Sequence, residues 1–142
     1  DESTLTFANA GHYPPILIRA DGTVERLGTG GAVRGVFPEG GYEQGRVARR
    51  GGDRIILYTD GITDVCNAAD EEFGDPQLVD LAVANRGCSA PALQARLANA
   101  VDAFSDGRFQ DDATLIVLAA EHVVTEGFGT NSHISGTKRS IW

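Results

Sequence analysis

Alternating and continuous apolar stretches divide most of the chain into short strands. The pattern predicts six of them, at residues 4–8, 16–18, 24–27, 42–49, 54–59 and 113–120. The last stretch is continuously apolar, which is typical of a central strand that is buried on both faces. Turn-forming residues separate the strands, notably the Asp-Gly pair at 21–22 and the glycine-rich stretch 28–41, which we expect to be a loop.

Two later stretches have the spacing of amphipathic helices. The first begins at Asp75, which we expect to cap the helix, with Pro76 in the first turn. The second begins at Ser89, and its apolar positions 93, 97, 101 and 104 recur every three or four residues. The segment 105–107, Ser-Asp-Gly, is expected to end this helix.

The order of these elements predicts the fold class. Strands come first, two helices follow, and one strand closes the series, which indicates an α+β domain with a mostly antiparallel sheet and two helices on one face. The opposite face of such a sheet needs either a second sheet or polar side chains. The sequence therefore predicts part of a sandwich.

Composition and charge exclude several function classes. The chain has 142 residues and a formal net charge of −8, so it lacks the basic surface that non-specific nucleic-acid binding requires. No apolar run is long enough to span a membrane, and no membrane association is expected. Cys66 and Cys88 lack metal-ligand spacing and are expected to be free thiols in a reducing cytoplasm.

Two acidic motifs carry the candidate chemistry. Asp60 follows the apolar run 54–59, and Asp111 precedes the run 113–120. Carboxylates at the ends of buried strands are suitable ligands for Mg²⁺ or Mn²⁺. Taken alone, however, Asp60 and Gly61 indicate a plain β-turn, and Asp111 indicates a residue of a helix-loop junction or one that caps a strand. Two aspartates are also too few to hold a pair of metal ions.

Four motifs in order resemble those of a known family. They are 9–15 (NAGHYPP), 52–64 (GDRIILYTDGITD), 73–74 (FG) and 111–114 (DDAT). Over residues 4–120 the chain resembles the C-terminal half of the metal-dependent serine/threonine protein phosphatases. The similar branch is the bacterial one, typified by the sporulation stage II E phosphatase and by stress-response regulators of sigma factors. The resemblance implies an αββα sandwich with a binuclear Mn²⁺ or Mg²⁺ centre between its sheets.

The resemblance also implies roles for individual residues. Asp60 and Asp111 match the family's metal-ligating aspartates, and Gly61 permits a tight turn close to the bound cofactor. Asp112 is expected to lie behind the ligands, and the role of Asp64 stays open. For His12, a base, a metal ligand and a structural residue of its loop are all conceivable, and we favour the structural role. No residue is assigned as catalytic.

One departure from the family pattern shapes the hypotheses. The family's Gly-Asp-x-x-Gly motif, whose aspartate bridges both metals, does not occur here, and the chain begins without Met. We therefore expect residues 1–120 to be the C-terminal portion of a phosphatase domain whose N-terminal half is absent, followed by a tail at 121–142 that is flexible or artificially added.

Two functional hypotheses follow from this organisation. In the first, the chain is part of an active phosphatase whose substrate is a phosphorylated regulatory protein of the anti-sigma-antagonist kind. In the second, it is a catalytically silent module that lacks the bridging ligand. Such a module is expected to form a homodimer through an exposed sheet edge or face.

Overall fold

A computed structural model describes residues 3–28, 43–107, 112–120 and 134–141, the last range as backbone only. Its strands are β1 Ser3–Phe7, β2 Ile16–Ile18, β3 Val24–Arg26, β4 Gly45–Arg49, β5 Arg54–Tyr58, β6 Ala113–Ala120 and β7 Ile134–Ile141. Its helices are α1 Asp60–Thr63, α2 Gly74–Ala84 and α3 Ala90–Ser105. All but one of the residues of the predicted loop 28–41 lie outside the described residues, and so does Asp111.

The strands form two antiparallel sheets. The larger sheet has the order β3-β2-β5-β6-β7, and β1 pairs with β4 in a separate two-stranded sheet. The α+β class and the antiparallel pairing predicted from the sequence are thereby confirmed. The short hairpin between β2 and β3 turns at Asp21 and Gly22, where the Thr23 amide donates to the Asp21 carboxylate at 2.8 Å.

One face of the larger sheet packs against α2 and α3. Alternate residues of the strands point to the helices, so that Ile56 of β5 and Val117 of β6 are fully buried there. Leu78 of α2 and Leu97 of α3 are fully buried against them. A buried side-chain hydrogen bond also joins α3 to the sheet: the Gln94 amide group donates to the Leu115 carbonyl at 2.8 Å.

The opposite face is covered by the two-stranded sheet. Leu17 and Ile55 are buried on this side and pack with Leu5, Phe7 and Val47 of β1 and β4. Because β2 and β5 are covered on both faces, their residues are apolar in succession rather than alternating. The second sheet of the predicted sandwich is therefore formed by β1 and β4 of this chain.

A buried ion pair links the two sheets near the β4–β5 turn. Asp53 is 1% exposed and accepts from Arg19 Nη1 at 2.9 Å and from the Arg50 amide at 2.9 Å. The same Arg19 nitrogen donates to the Ala48 carbonyl in β4 at 2.6 Å. Since the carboxylate is paired and hydrogen-bonded, the free-energy cost of burying its charge is offset.

Several local predictions are borne out, and others differ. Ser89 caps α3 by accepting from the Ala92 amide at 3.4 Å, and the helix ends at Asp106 in the left-handed conformation, as predicted. Asp75 does not cap α2, because its carboxylate is engaged by side chains from other elements. Asp60 and Gly61, which taken alone indicate a turn, begin the one-turn helix α1.

Strand β7 lies within the stretch expected to be a tail. It pairs antiparallel with β6 along its whole length, from Ala113 opposite Ile141 to Ala120 opposite Ile134. The sequence did not reveal this strand because residues 135–140 carry no apolar alternation. The domain boundary at residue 120 stays a prediction. Within the described part of the chain, no helix is long and apolar enough to cross a membrane.

Candidate metal site at the ends of strands β5 and β6

The two acidic motifs are held together by hydrogen bonds from Thr59. Its amide donates to the Thr114 carbonyl at 3.2 Å, and its hydroxyl accepts from the Thr114 amide at 3.0 Å. The same hydroxyl donates to the Asp112 carbonyl at 3.2 Å. Thr59, which lies between the end of β5 and Asp60, is therefore joined to the residues that follow Asp111.

Gly61 allows the backbones of the two motifs to approach closely. A Cβ atom at this position would lie 2.6 Å from the Asp112 carbonyl oxygen and 3.2 Å from the Ala113 Cα. Those distances are shorter than van der Waals contact, so only glycine fits. The need for glycine at position 61 therefore comes from the close approach of the Asp112 backbone.

Asp60 stands at the start of α1 with its carboxylate towards solvent. Its Oδ1 accepts from the Gly61 amide at 3.0 Å, and its carbonyl accepts from the Asp64 amide at 2.8 Å. Asp64 is also exposed, and its Oδ1 accepts from the Thr63 hydroxyl at 2.9 Å. The one-turn helix α1 and the residue that follows it therefore present two exposed carboxylates.

The structure brings four of the six predicted site residues to one place. Asp60 and Gly61 lie on α1, Asp64 directly follows this helix, and the Asp112 carbonyl lies opposite Gly61. Asp111 is outside the described residues. Carboxylate oxygens are the ligands that a hard divalent cation prefers. Among the described residues, however, no three His, Cys, Asp or Glu residues group closely enough to hold a metal ion, so the site is partial.

His12 belongs to a neighbouring loop. Asn9 closes this loop by donating its side-chain amide to the His12 carbonyl at 2.7 Å and by accepting from the His12 amide at 2.8 Å. The loop lies at the edge of an open apolar cavity of about 610 Å³, which is also lined by Phe7, Leu57 and Ile116. Both hydrogen bonds use the backbone of His12, and its structural role in the loop stays a prediction.

Comparison with known proteins identifies the family. Residues 1–121 match the Stage II sporulation protein E (SpoIIE) family. The chain belongs to this family. The resemblance predicted from the four sequence motifs is thereby confirmed.

Two curated relatives are similar over most of this chain. Protein IcfG of Synechocystis sp. is 30% identical over 115 residues, which are 80% of this chain and 18% of that protein. Phosphoserine phosphatase RsbU of Bacillus subtilis is 30% identical over 119 residues, 83% of this chain and 35% of that protein. The SpoIIE-family chain therefore spans about a third or less of these relatives.

Solved structures share the fold. The SiaA-PP2C domain of Pseudomonas aeruginosa superposes with a TM-score of 0.68 at 19% identity, covering 82% of this chain and 46% of that one. The PP2C phosphatase domain of SpoIIE from Bacillus subtilis superposes with a TM-score of 0.67 at 21% identity, covering 84% and 35%. The SpoIIE-family chain thus has part of a PP2C-type fold.

Next to the site lies a side-chain network that the sequence did not predict. Arg26 of β3 donates to the Tyr58 hydroxyl at 2.9 Å and forms a two-pronged ion pair with Asp75 in the first turn of α2. Tyr58 in turn donates a short hydrogen bond to Asp75. These residues are 17 to 49 positions apart in the sequence, so no local signal marks them.

The network shifts the pKa values of two of its members. Burial raises the pKa of Tyr58, and its bond to the Asp75 carboxylate raises it further, to about 12. Burial also raises the pKa of Asp75, but the hydrogen bonds from Arg26 and Tyr58 outweigh it, so that the net pKa lies below its ordinary value. In this SpoIIE-family chain, Tyr58 is therefore neutral and Asp75 ionised at neutral pH.

Proposed function

We propose that this chain supplies part of the catalytic domain of a metal-dependent phosphoserine/phosphothreonine protein phosphatase, with Asp60 and Asp111 as ligands of Mn²⁺ or Mg²⁺. The main support for this proposal is that the two acidic motifs are held together. Thr59 forms hydrogen bonds between them, and Gly61 lies in close contact with Asp112. Membership of the SpoIIE family and similarity to a named phosphoserine phosphatase support it.

The chemistry follows from the ligand type. Divalent cations bound to carboxylates activate water and stabilise the charge that develops on a phosphoester. In this chain Asp60 would hold the cation, and Gly61 would allow the second motif to lie beside it. Asp112 would orient the neighbouring ligand Asp111, and Asp64 would add negative charge that attracts the cation.

Two carboxylates do not hold two cations. At an effective dielectric constant of 20, two unit charges 4 Å apart repel by about 4 kcal/mol, so two divalent ions repel by roughly 16 kcal/mol. That repulsion requires further anionic ligands between the ions. We therefore propose that residues 1–120 form the C-terminal portion of the domain, and that a bridging carboxylate comes from outside this sequence.

The substrate class follows from the proposed reaction. We propose that a phosphorylated regulatory protein of a bacterial signalling pathway presents a phosphoserine or phosphothreonine to this site. The similarity to phosphoserine phosphatase RsbU of Bacillus subtilis supports the phosphoserine part of this proposal. The free thiols of Cys66 and Cys88 support a cytoplasmic location.

Isothermal titration of this chain with Mn²⁺ tests the proposed ligand. Asp60→Asn keeps the shape of the side chain and removes its charge, so the Mn²⁺ dissociation constant should rise at least tenfold. Asp80→Asn is the matched control, because Asp80 is also exposed but lies on α2 away from the strand ends. Equal affinities in wild type and Asp60→Asn would refute the assignment.

Activity is measured separately with p-nitrophenyl phosphate. Manganese-dependent hydrolysis that Asp60→Asn abolishes would establish that this chain is catalytic by itself. Equal, negligible rates in both proteins would instead favour a chain that binds a cation but needs the rest of the domain for turnover.

A second candidate function is a silent, self-associating module. The described part of the two-stranded sheet favours it, because β1 and β4 each pair on one side only and leave an edge open. Light scattering across a concentration series tests this candidate. A monomer at high concentration would rule it out.

A further inference from the structure

The Arg26–Tyr58–Asp75 network has no role in the function proposed so far. Its three side chains come from β3, the last residue of β5 and the first turn of α2, and they converge on one hydroxyl group. The Tyr13 ring from the loop at 9–15 packs against the Tyr58 ring with centroids 5.6 Å apart. Four separate parts of the chain therefore meet at Tyr58.

We propose that the Tyr58 hydroxyl is a positioning group for the cation site, and that it sets the placement of Asp60 through its bonds to Asp75 and Arg26. This inference rests on the proposed role of Asp60 as a metal ligand. It assigns no contact between Tyr58 and the cation.

The connection runs through the segment that carries the site. Tyr58 immediately precedes residues 59–74, and Asp75 immediately follows them, so the hydrogen bond between the two side chains closes this segment at its base. Within the segment, the Phe73 amide donates to the Val65 carbonyl at 2.8 Å, and Cys66 forms a bridge with Glu72. The helix α1, which begins with Asp60, packs against α2.

The Tyr58 ring and the Tyr58 hydroxyl contribute differently, because the ring is buried in the core and the partners of the hydroxyl are partly exposed. Tyr58 is 4% exposed, and its ring belongs to the apolar core, where a phenylalanine ring would pack equally well. Arg26 and Asp75 have side chains that are 40% and 34% exposed, and ion pairs at such positions stabilise a fold little. What the hydroxyl adds is a fixed geometry between the end of β5 and the start of α2.

Tyr58→Phe tests the inference, because it removes only the hydroxyl. The Mn²⁺ dissociation constant should rise about tenfold, while the midpoint of urea unfolding without metal should change little. Asp75→Asn should weaken Mn²⁺ binding in the same direction. Tyr13→Phe is the control, since it removes a hydroxyl from the neighbouring ring and leaves the network intact.

A double variant shows whether Tyr58 acts through Asp60. In an Asp60→Asn background, Tyr58→Phe should cause no further loss of Mn²⁺ affinity, because the ligand that it positions is already gone. Independent losses that multiply would overturn the inference. A lower unfolding midpoint with unchanged Mn²⁺ affinity in the single Tyr58→Phe variant would also overturn it.

Failure of this inference is distinct from failure of the proposed function. If Asp60→Asn loses Mn²⁺ affinity and Tyr58→Phe does not, the ligand assignment stands and the positioning role is wrong. If Asp60→Asn binds Mn²⁺ as wild type does, the ligand assignment is wrong, and the positioning role falls with it.

Discussion

The side chain of Thr59 takes the place of a backbone group in the pairing of Thr59 with Thr114. The Thr59 amide bonds to the Thr114 carbonyl as a strand residue would, but the Thr114 amide bonds to the Thr59 hydroxyl instead of its carbonyl. The main chain of Thr59 is therefore free to leave the sheet and enter α1 while the two acidic motifs stay joined.

Replacing this hydroxyl should cost stability. Thr59→Val keeps the branched shape and leaves the Thr114 amide without its acceptor, so the free energy of unfolding should fall by about 1–2 kcal/mol. Thr4→Val, on the exposed side of β1, should change it by less than about 0.5 kcal/mol. Urea denaturation of the two variants measures both values. Equal effects would show that the hydroxyl contributes nothing special at position 59.

Gly61 and Gly87 form a matched pair of glycine sites. A Cβ at Gly61 collides with the Asp112 carbonyl, whereas a Cβ at Gly87 meets nothing within 4 Å. Gly61→Ala should therefore lower the free energy of unfolding by about 1–3 kcal/mol. Gly87→Ala should leave it unchanged or raise it by up to about 1 kcal/mol. Thermal unfolding followed by circular dichroism compares them, and a Gly61→Ala variant as stable as wild type would contradict the close contact.

Among the ion pairs in the described part of the chain, that of Arg19 and Asp53 should be the most sensitive to substitution. Asp53→Ala leaves the largely buried Arg19 guanidinium without its buried partner, so we expect a loss of about 3–5 kcal/mol in the free energy of unfolding. Glu25→Gln removes the other, more exposed partner of Arg19, and its effect should stay within about 1 kcal/mol. Guanidinium denaturation distinguishes the two, and a reversed order of the effects would refute this ranking.

The lowered pKa of Asp75 predicts a stability difference that depends on pH. A carboxyl group whose pKa is lower in the folded state contributes stability above its unfolded pKa, and that contribution disappears as the pH falls through the folded value. Wild type should therefore be more stable than Asp75→Asn at neutral pH, and the gap should close as the pH falls below 3.8. Urea titrations from pH 2 to pH 7 measure the gap. A constant difference across that range would exclude this contribution.

The local elements could be predicted from the sequence, because each depends on nearby residues. Strand β6 was predicted with its observed bounds from one apolar run, and the start of α3 from the capping preference of Ser89. The separation of β1 and β4 into their own sheet could not be predicted, because the choice of strand partners depends on contacts between residues far apart in the chain. The expectation that the motifs of Asp60 and Asp111 act together came only from the match of four motifs to a family, because nothing local in the sequence shows the contact of Gly61 with Asp112.

The side-chain network escaped prediction for the same physical reason. Asp75 stands where a helix cap is common, and nothing near it in the sequence shows that Arg26 and Tyr58 would take its carboxylate instead. Thr59 likewise has an ordinary strand-ending position. Both roles arise from atoms that meet only after the sheet has formed.

The central position of β5 also has a consequence for hydrogen exchange near the proposed cation site. Its backbone is paired with β2 on one side and β6 on the other, and Ile56 is fully buried. Amides in such a strand exchange with solvent deuterium only when the whole domain opens, whereas helix ends and loops exchange through local fraying. Asp60 lies two residues after the end of this strand, so the strand that anchors it should open only in the global transition. Mn²⁺ bound at Asp60 would therefore stabilise the folded state against that transition, and added Mn²⁺ should slow exchange in β5 more than in any peripheral loop.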